Sequence, residues 1–122
     1  MKTDNIILGK SFQFGLRIVK LFMYLRKIKV ERDLCTQFLR SGTSIGANIK
    51  EAIGGSSRKD FVHKLEIAYK ESWEIRYWLR LLKGSGLLEN KLAESFIKDC
   101  EEIIKIPTAI LNSSKTQQII YS

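Results

Sequence analysis

The sequence predicts an all-α protein, folded as an antiparallel four-helix bundle. Apolar residues recur at spacings of three and four along four segments, which is the period of an amphipathic helix. Short connections separate these segments, and no stretch of useful length shows the period-2 alternation of a β-strand. We expect helices at approximately 8–28, 31–53, 58–84 and 89–112. A chain of 122 residues suits one domain, so we expect a bundle over 1–112 and a polar tail over 113–122.

The first helix carries two apolar stripes. The stripe with core spacing is Phe14, Ile18, Leu21, Phe22 and Leu25. The second stripe lies nearly opposite at 100° per residue, and it consists of Phe12, Leu16, Val19 and Met23. One stripe is enough to dock a helix on a bundle. The second therefore predicts a contact with another molecule, most simply an oligomer interface with a second copy of the chain.

Positive charge is concentrated near the start of the chain. The chain has 21 Lys and Arg against 13 Asp and Glu, for a formal charge of +8, and residues 1–29 alone hold seven cations and one acid. The candidate nucleic-acid-binding residues are Lys10, Arg17, Lys20, Arg26, Lys27 and Lys29, with Arg58 and Lys59 at the corner between helices 2 and 3. Such a field favours phosphate-rich partners. The alternative is that the charge only keeps the protein soluble.

The second helix has Leu34, Phe38, Ile45, Ile49 and Ala52 on its inward face. Gly42 and Gly46 interrupt it, and each costs about 1 kcal/mol relative to alanine inside a helix. Close approach of a neighbouring helix would explain them. A continuous helix is favoured because the apolar spacing resumes in phase at Ile45, and the alternative is a break at Ser41–Thr43.

Polar residues of helices 2 and 3 predict a structural network between those helices. The residues of this network are Arg40, Ser44 and Asn48, at four-residue spacing, with Glu71 and Glu74. A buried Arg or Asn paired with Glu would fix the register of the two helices. The alternative is a ligand pocket built from the same groups and facing Tyr77 and Trp78.

The third helix follows Gly54-Gly55-Ser56-Ser57, where glycine can end one helix and Ser57 can cap the next. Its core seam is Phe61, Leu65, Ala68, Ser72, Ile75, Leu79 and Leu82, and an aromatic stripe of Tyr69, Trp73 and Tyr77 runs beside it. A helix this apolar is expected to be mostly buried, in its own bundle and at a subunit contact.

The fourth helix follows Gly84-Ser85-Gly86 and places Leu92, Phe96, Cys100, Ile103 and Ile104 toward the core. Pro107 is expected to kink it or to begin a looser last turn, because proline removes a hydrogen bond and clashes with the preceding turn. In the polar tail, Ile119-Ile120-Tyr121 could pack back or bind a partner.

The residues needed for catalysis are missing from the pattern. His63 is the only histidine, no Glu-x-x-His repeat accompanies Glu71 and Glu74, and neither a P-loop nor a GxGxxG or GxSxG motif occurs. Cys35 and Cys100 are isolated, as expected for reduced core residues of a cytosolic protein. We therefore expect no enzymatic activity, no metal and no cofactor. No signal sequence or membrane span is evident, so a cytoplasmic location without membrane contact is expected.

Two blocks of the sequence resemble a known family. The first runs Phe38-Leu39-Arg40-Ser41-Gly42-Thr43-Ser44-Ile45-Gly46-Ala47-Asn48-Ile49 and continues to Glu51-Ala52. The second begins at Ser57-Arg58-Lys59-Asp60-Phe61 and includes Lys64-Leu65, Ala68, Lys70-Glu71 and Tyr77-Trp78-Leu79 with Leu81-Leu82. Together they resemble the bacterial four-helix bundle proteins also known from open reading frames in intervening sequences of large-subunit rRNA genes. The chain is also similar to the accessory protein of diversity-generating retroelements.

That resemblance implies an up-down-up-down bundle that assembles as a ring, a homopentamer in known members. It also implies a basic surface that binds nucleic acid, and it brings no catalytic residues. Three hypotheses follow from the whole sequence. The first is an oligomeric RNA- or DNA-binding bundle that uses the basic side of helix 1. The second is a protein-interaction scaffold or accessory subunit without direct nucleic-acid binding, and the third is a small-molecule- or metal-binding bundle.

Overall fold

Four helices make up the fold of a computed structural model, which describes the backbone of residues 2–121 and the side chains of residues 6–113. The helices are α1 (Lys2–Lys27), α2 (Arg32–Ile53), α3 (Arg58–Gly84) and α4 (Asn90–Tyr121). Each helix packs against its neighbours in the chain, and α4 returns to α1 along a looser seam. The diagonal pairs α1–α3 and α2–α4 do not pack together within the described residues. This up-down-up-down arrangement confirms the predicted fold class.

The core follows the predicted apolar spacing in α1, α2 and α3. Phe14, Ile18, Leu21 and Leu25 of α1 are buried, and so is every residue of the predicted α3 seam from Leu65 to Leu82. On α2, Phe38, Ile45, Ile49 and Ala52 are buried and Leu34 is half-buried. The core is therefore continuous from Ile7 to Leu111.

α2 is one continuous helix through its glycines, and the structure supplies the reason for them. A Cβ atom on Gly42 would lie 2.8 Å from the Cγ1 and Cγ2 atoms of Ile18. At Gly46 it would lie 3.4 Å from the carbonyl oxygen of Ser11. The absence of these two side chains thus lets the backbone of α2 approach α1, which offsets the helix propensity that glycine sacrifices.

The predicted cap of α3 is present. Ser57 is the N-cap residue, and its hydroxyl oxygen accepts a hydrogen bond from the backbone N–H of Asp60 at 3.1 Å. At the start of α2, Glu31 fills the same position, and its carboxylate accepts from the N–H groups of Asp33 (2.7 Å) and Leu34 (3.1 Å). Both helix starts therefore satisfy backbone donors that would otherwise lack partners.

In α4 the prediction is wrong at Leu92. This side chain is 37% exposed, whereas the neighbouring Ala93 is completely buried. Ala93, Phe96 and Cys100 are spaced by three and four, so the helix turns its smallest apolar residue inward and leaves leucine outside. α4 continues through Pro107 without ending there. It also extends beyond residue 112, while the side chains of the predicted apolar segment Ile119-Ile120-Tyr121 lie outside those described.

Candidate nucleic-acid interface

The turn between α1 and α2 is built around a lysine in an unusual backbone conformation. Lys29 has φ 66°, which is the left-handed region that glycine normally occupies at the end of a helix. Its N–H donates to the carbonyl of Arg26 at 3.0 Å, and the N–H of Val30 donates to the carbonyl of Leu25 at 2.9 Å. These two bonds form a Schellman motif with Lys29 at the left-handed position. A lysine there costs about 1 kcal/mol relative to glycine.

Other residues of the turn hold it in place. Val30 is buried, as is Leu25, so the apolar contact that accompanies a Schellman motif can form. The guanidinium of Arg26 donates to the carbonyl oxygen of Val30 at 2.7 Å. Beneath the turn, the thiol of Cys35 lies 3.7 Å from the same oxygen. Arg26 is thus occupied in closing the turn.

Four cations and two acids lie within residues 26–33. Lys27, Lys29 and Arg32 are exposed there, and Lys20 is exposed two turns earlier on the same side of α1 as Lys27. Among the side chains that the structure describes, no carboxylate lies within ion-pairing distance of any of these four. We call Lys20, Lys27, Lys29 and Arg32 the basic turn. Arg32 was missed by the sequence prediction, although its position three residues after Lys29 could have indicated it.

Two other predicted residues of helix 1 are paired with α4 instead. Lys10 lies 3.7 Å from a carboxylate oxygen of Glu102. Arg17 forms an ion pair with Asp99, donates to the hydroxyl of Ser95 at 3.1 Å, and places its guanidinium carbon 4.0 Å from the centre of the Phe96 ring. These contacts help to join α1 to α4 along their loose seam, so much of the positive charge of Lys10 and Arg17 is compensated within the bundle.

Arg58 and Lys59 lie at the opposite end of the molecule from the basic turn. The 22 residues of α2 separate the two ends, a distance of roughly 33 Å at 1.5 Å per residue. Arg58 stacks near the ring of Phe61, with 5.9 Å between the guanidinium carbon and the ring centre. Within one copy, the eight predicted cations therefore do not form a single patch.

The second stripe of helix 1 lies on the outside of the bundle. Phe12, Leu16, Val19 and Met23 are 62%, 43%, 43% and 63% exposed. We call these four residues the α1 stripe. Beside it runs a groove of about 710 Å³ between α1 and α2, with small residues at Gly15, Gly46 and Ala47 among those that line it. A Cβ atom added at Gly15 would meet nothing within 4 Å, so the groove is open at this point.

The structure forms part of the predicted polar network. Arg40 donates to both carboxylate oxygens of Glu71 at 3.1 Å and also contacts Glu74, whose carboxylate accepts from the indole N–H of Trp78 at 3.2 Å. The hydrogen bond to Glu71 raises the pKa of Arg40 above its ordinary value. Because Arg40 is 45% exposed, the network lies at the surface.

Ser44 and Asn48 do not join that network. The Ser44 hydroxyl donates to the carbonyl of Ser41 at 3.3 Å, and the Asn48 amide donates to the carbonyl of Ser44 at 2.8 Å. Both bonds stay within α2. Of the predicted network residues, Arg40, Glu71 and Glu74 therefore link α2 to α3, and an ion pair between Glu51 and Lys64 at 3.0 Å joins the same two helices.

The reactive side chains are dispersed. Cys35 and Cys100 are buried and unbonded to each other, and burial raises the pKa of the Cys100 thiol to about 12. His63 is exposed. No cluster of three His, Cys, Asp or Glu side chains suited to a metal ion occurs among residues 6–113. The helices as far as they are described include none long and apolar enough to cross a membrane.

Fold and surface together define a class: a basic all-α four-helix bundle with a cationic turn and an exposed apolar stripe. The chain belongs to the family of 23S rRNA-intervening sequence proteins, whose model matches residues 3–109. It is also similar to the crystal structure of a protein of unknown function from the S23 ribosomal protein family of Bacteroides thetaiotaomicron. Those two chains are 44% identical and superpose with a TM-score of 0.87 over 90% of this chain and 98% of the other. No match was found among curated proteins.

Proposed function

We propose that the protein is a non-enzymatic, oligomeric bundle that binds RNA or DNA through the basic turn. The observation that carries this proposal is Lys29, an exposed lysine at a left-handed position where glycine is favoured. Such a residue persists only when the surrounding structure or the function compensates for it. Two exposed cations, Lys27 and Arg32, flank it, and all three can reach phosphates without first breaking an ion pair with a described side chain.

The binding mechanism is electrostatic. Cations that contact phosphates release counterions from the nucleic acid, so affinity falls as salt rises and depends little on sequence. One basic turn offers few such contacts, which gives weak binding for a single copy. Several copies on one strand raise the effective concentration of each turn for the next phosphate group, and the total affinity increases accordingly.

The α1 stripe supports the oligomeric part of the proposal. Four large apolar side chains stand exposed on the outer face of one helix, which is typical of a surface that another molecule covers. We propose that this molecule is another copy of the chain, in a ring of the pentameric size that the resemblance implies. The buried, unbonded Cys35 and Cys100 suit a reducing compartment, and we propose that the assembly acts in the cytoplasm.

A salt titration with labelled single-stranded RNA tests nucleic-acid binding, read by fluorescence anisotropy. We expect log affinity to fall linearly with log salt, with a slope of about −0.7 for each phosphate contact. The variant Lys27→Glu/Lys29→Glu should lose at least roughly tenfold in affinity at low salt, because each substitution replaces an attraction by a repulsion. Single-stranded and duplex DNA, titrated in parallel, show whether RNA is preferred.

A matched control has the same change in net charge at another place. Lys98→Glu/Lys105→Glu alters two exposed lysines of α4, and its affinity should stay close to that of the unmodified protein. Equal losses in both variants would mean that only net charge matters and would contradict the basic turn as a site. Absence of binding to any nucleic acid at low ionic strength would contradict the proposal altogether.

The groove beside the α1 stripe favours a second candidate, a protein-interaction scaffold. It is about 710 Å³ in volume, and apolar residues form most of its lining. A helix of a partner protein could lay its apolar face there. A pull-down that yields one stoichiometric protein after nuclease treatment, and that Leu16→Glu abolishes, supports this function. Recovery of only nuclease-sensitive material counts against it.

A further inference from the structure

A second apolar stripe lies on α3, the helix diagonally opposite α1. Trp73, Tyr77 and Leu81 are 46%, 55% and 41% exposed, at successive intervals of four residues. We call these three residues the α3 stripe. Because α1 and α3 occupy opposite corners of the bundle, one flat interface cannot cover both stripes of the same copy.

The two stripes lie at the same level along the bundle. On one side, Ile18 packs against Gly42 of α2, two residues from Arg40, which contacts Glu71 and Glu74 of α3. On the other side, Arg17 contacts Asp99 of α4, and the adjacent Cys100 donates its thiol hydrogen to the carbonyl of Ser72 at 3.1 Å. Both routes place residues 17–18 of α1 level with about 71–74 of α3. The centres of the two stripes therefore lie within about one and a half helical turns of each other, so the stripes overlap along the bundle axis.

Their directions also agree, because α1 and α3 run the same way in an up-down-up-down bundle. Rotation of one copy about an axis parallel to the bundle therefore brings its α3 stripe alongside the α1 stripe of the next copy, parallel and level. Two copies related by a twofold axis could join their two α1 stripes or their two α3 stripes, but one such contact leaves the other stripe of each copy exposed. A contact between the α1 stripe of one copy and the α3 stripe of the next, repeated from copy to copy, covers both stripes.

The two surfaces also differ in relief. The α3 stripe projects large aromatic rings, and contacts within α3 fix the position of the Trp73 ring. Trp73 meets Tyr69 edge to face with 6.3 Å between ring centres, and the guanidinium of Arg76 lies 5.7 Å from the Trp73 ring. On α1, Gly15 leaves an open gap beside Leu16, at about the level of Trp73. A rigid aromatic ridge facing a gap in an apolar surface is a favourable arrangement for packing, since little side-chain freedom is lost.

We infer that the α3 stripe of one copy covers the α1 stripe of the next, in a head-to-tail contact between parallel helices. This inference rests on the oligomeric part of the proposed function and assigns the partner surface of the α1 stripe. Repetition of the contact gives a ring if the rotation closes. Every copy then points the same way, so the basic turns of all copies lie at one end of the assembly.

Cysteine cross-linking tests the pairing directly. Met23→Cys and Leu81→Cys place one thiol at corresponding levels of the two stripes, while Cys35 and Cys100 are buried and should not react. The two variants are mixed, unfolded and refolded together so that subunits exchange, and treated with a short bismaleimide. We expect a cross-linked dimer from the mixture and none from either variant alone. Mass spectrometry should find residue 23 joined to residue 81.

The control mixture pairs Met23→Cys with Lys98→Cys, on the outer face of α4, and should give no cross-link. A cross-link of Met23→Cys with itself would show that like stripes meet and would overturn the inference. Absence of any cross-link in protein that light scattering shows to be oligomeric would overturn it too, leaving the oligomeric proposal intact. A strictly monomeric protein at high concentration would defeat both, whereas binding of RNA by the basic turn would remain testable on the monomer.

Discussion

Two turns lie at the same end of the bundle. Each contains one residue in the left-handed backbone conformation, but that residue is a glycine in one turn and a lysine in the other. Between α3 and α4, Gly86 takes the left-handed conformation with φ 77°, where glycine has no steric penalty. Between α1 and α2, Lys29 takes nearly the same conformation with φ 66°. A Cβ atom on Gly86 would meet nothing within 4 Å, so space alone does not decide which residue stands there.

The two turns also differ in how their neighbouring cations are used. Arg26 donates a hydrogen bond to the carbonyl of Val30 and so braces the lysine turn. Near the glycine turn, Lys83 forms an ion pair with Glu94 of α4 at 3.1 Å, so its positive charge is largely compensated. The lysine turn is thus less favourable in its backbone and richer in accessible charge. The proposed function accounts for this contrast, because under that proposal the lysine turn serves binding and the glycine turn serves only the fold.

The largest expected effects come from the buried residue that anchors each turn. Leu88→Ala should lower the free energy of unfolding by about 3 kcal/mol and Val30→Ala by about 2 kcal/mol, because each leaves a cavity in the core. Urea denaturation followed by circular dichroism measures both. Equal, small losses of a few tenths of a kcal/mol would show that neither turn is anchored by its apolar contact.

The brace of the lysine turn gives the next largest effect. Arg26→Met keeps the apolar part of the side chain but removes the hydrogen bond to Val30, and we expect a loss of about 1.5 kcal/mol. The control Lys83→Met, in the glycine turn, breaks only a partly exposed ion pair and should change stability by less than about 0.5 kcal/mol. A loss at Arg26 no larger than at Lys83 would remove the distinction between the two turns.

Exchanging the left-handed residues of the two turns is expected to change the free energy of unfolding in opposite directions. Lys29→Gly should raise the free energy of unfolding by about 0.5–1 kcal/mol, because relief of the left-handed strain exceeds the added freedom of the unfolded chain. Gly86→Lys should lower it by about 1 kcal/mol for the converse reason. Denaturant titrations of both variants measure the pair. A destabilised Lys29→Gly would mean that the lysine makes stabilising contacts in the folded protein.

The smallest expected effect is kinetic and concerns the thiols. Burial raises the pKa of Cys35 above its ordinary value and that of Cys100 to about 12, so at pH 8 both are neutral thiols that react only when the structure opens. Cys35 lies directly beneath the lysine turn and Cys100 in the middle of α4, so Cys35 should be labelled faster in the native state. Lys29→Gly should slow the labelling of Cys35, and it should slow that of Cys100 only as far as it raises the global free energy of unfolding. Faster labelling of Cys100 than of Cys35 in the unmodified protein would indicate that the lysine turn does not open more readily than the rest of the bundle.

The same folded pKa of Cys100 predicts how stability changes with pH. In the unfolded chain this thiol ionises near its ordinary pKa of about 9, whereas in the native protein it stays protonated to about 12. The contribution of the Cys100 thiol to the free energy of unfolding is therefore complete below about pH 9, and it declines as the pH rises toward 12. Cys100→Ala should be less stable at neutral pH and should show a shallower decline in alkali. An identical alkaline decline in both proteins would exclude Cys100 as its cause.

Much of the fold could be predicted from the sequence because it depends on periodicity. The spacing of Phe14 and Ile18 and the seam from Leu65 to Leu82 determined which faces are buried. The cap at Ser57 followed from short-range chemistry. Leu92 was assigned wrongly because Ala93 is a weak apolar signal, and the phase of a helix near its start depends on few residues.

The candidate site was harder to predict because it depends on which charges are compensated. Lys10 and Arg17 look like Lys20 and Lys27 in the sequence, yet α4 brings Glu102 and Asp99 against the first pair only. Those contacts join residues 82 and 92 positions apart, beyond the reach of local patterns. The left-handed conformation of Lys29 was equally hidden, since a lysine gives no turn signal of its own.

The most direct test of the basic turn is the titration of labelled single-stranded RNA with the unmodified protein and with Lys29→Gly, each at several salt concentrations. If Lys29 is retained for its charge, the variant binds more weakly although it is the more stable protein. Its log–log salt slope should also be shallower, by about 0.7 for each phosphate that the variant no longer neutralises. Superimposable binding curves at every salt concentration would contradict the account.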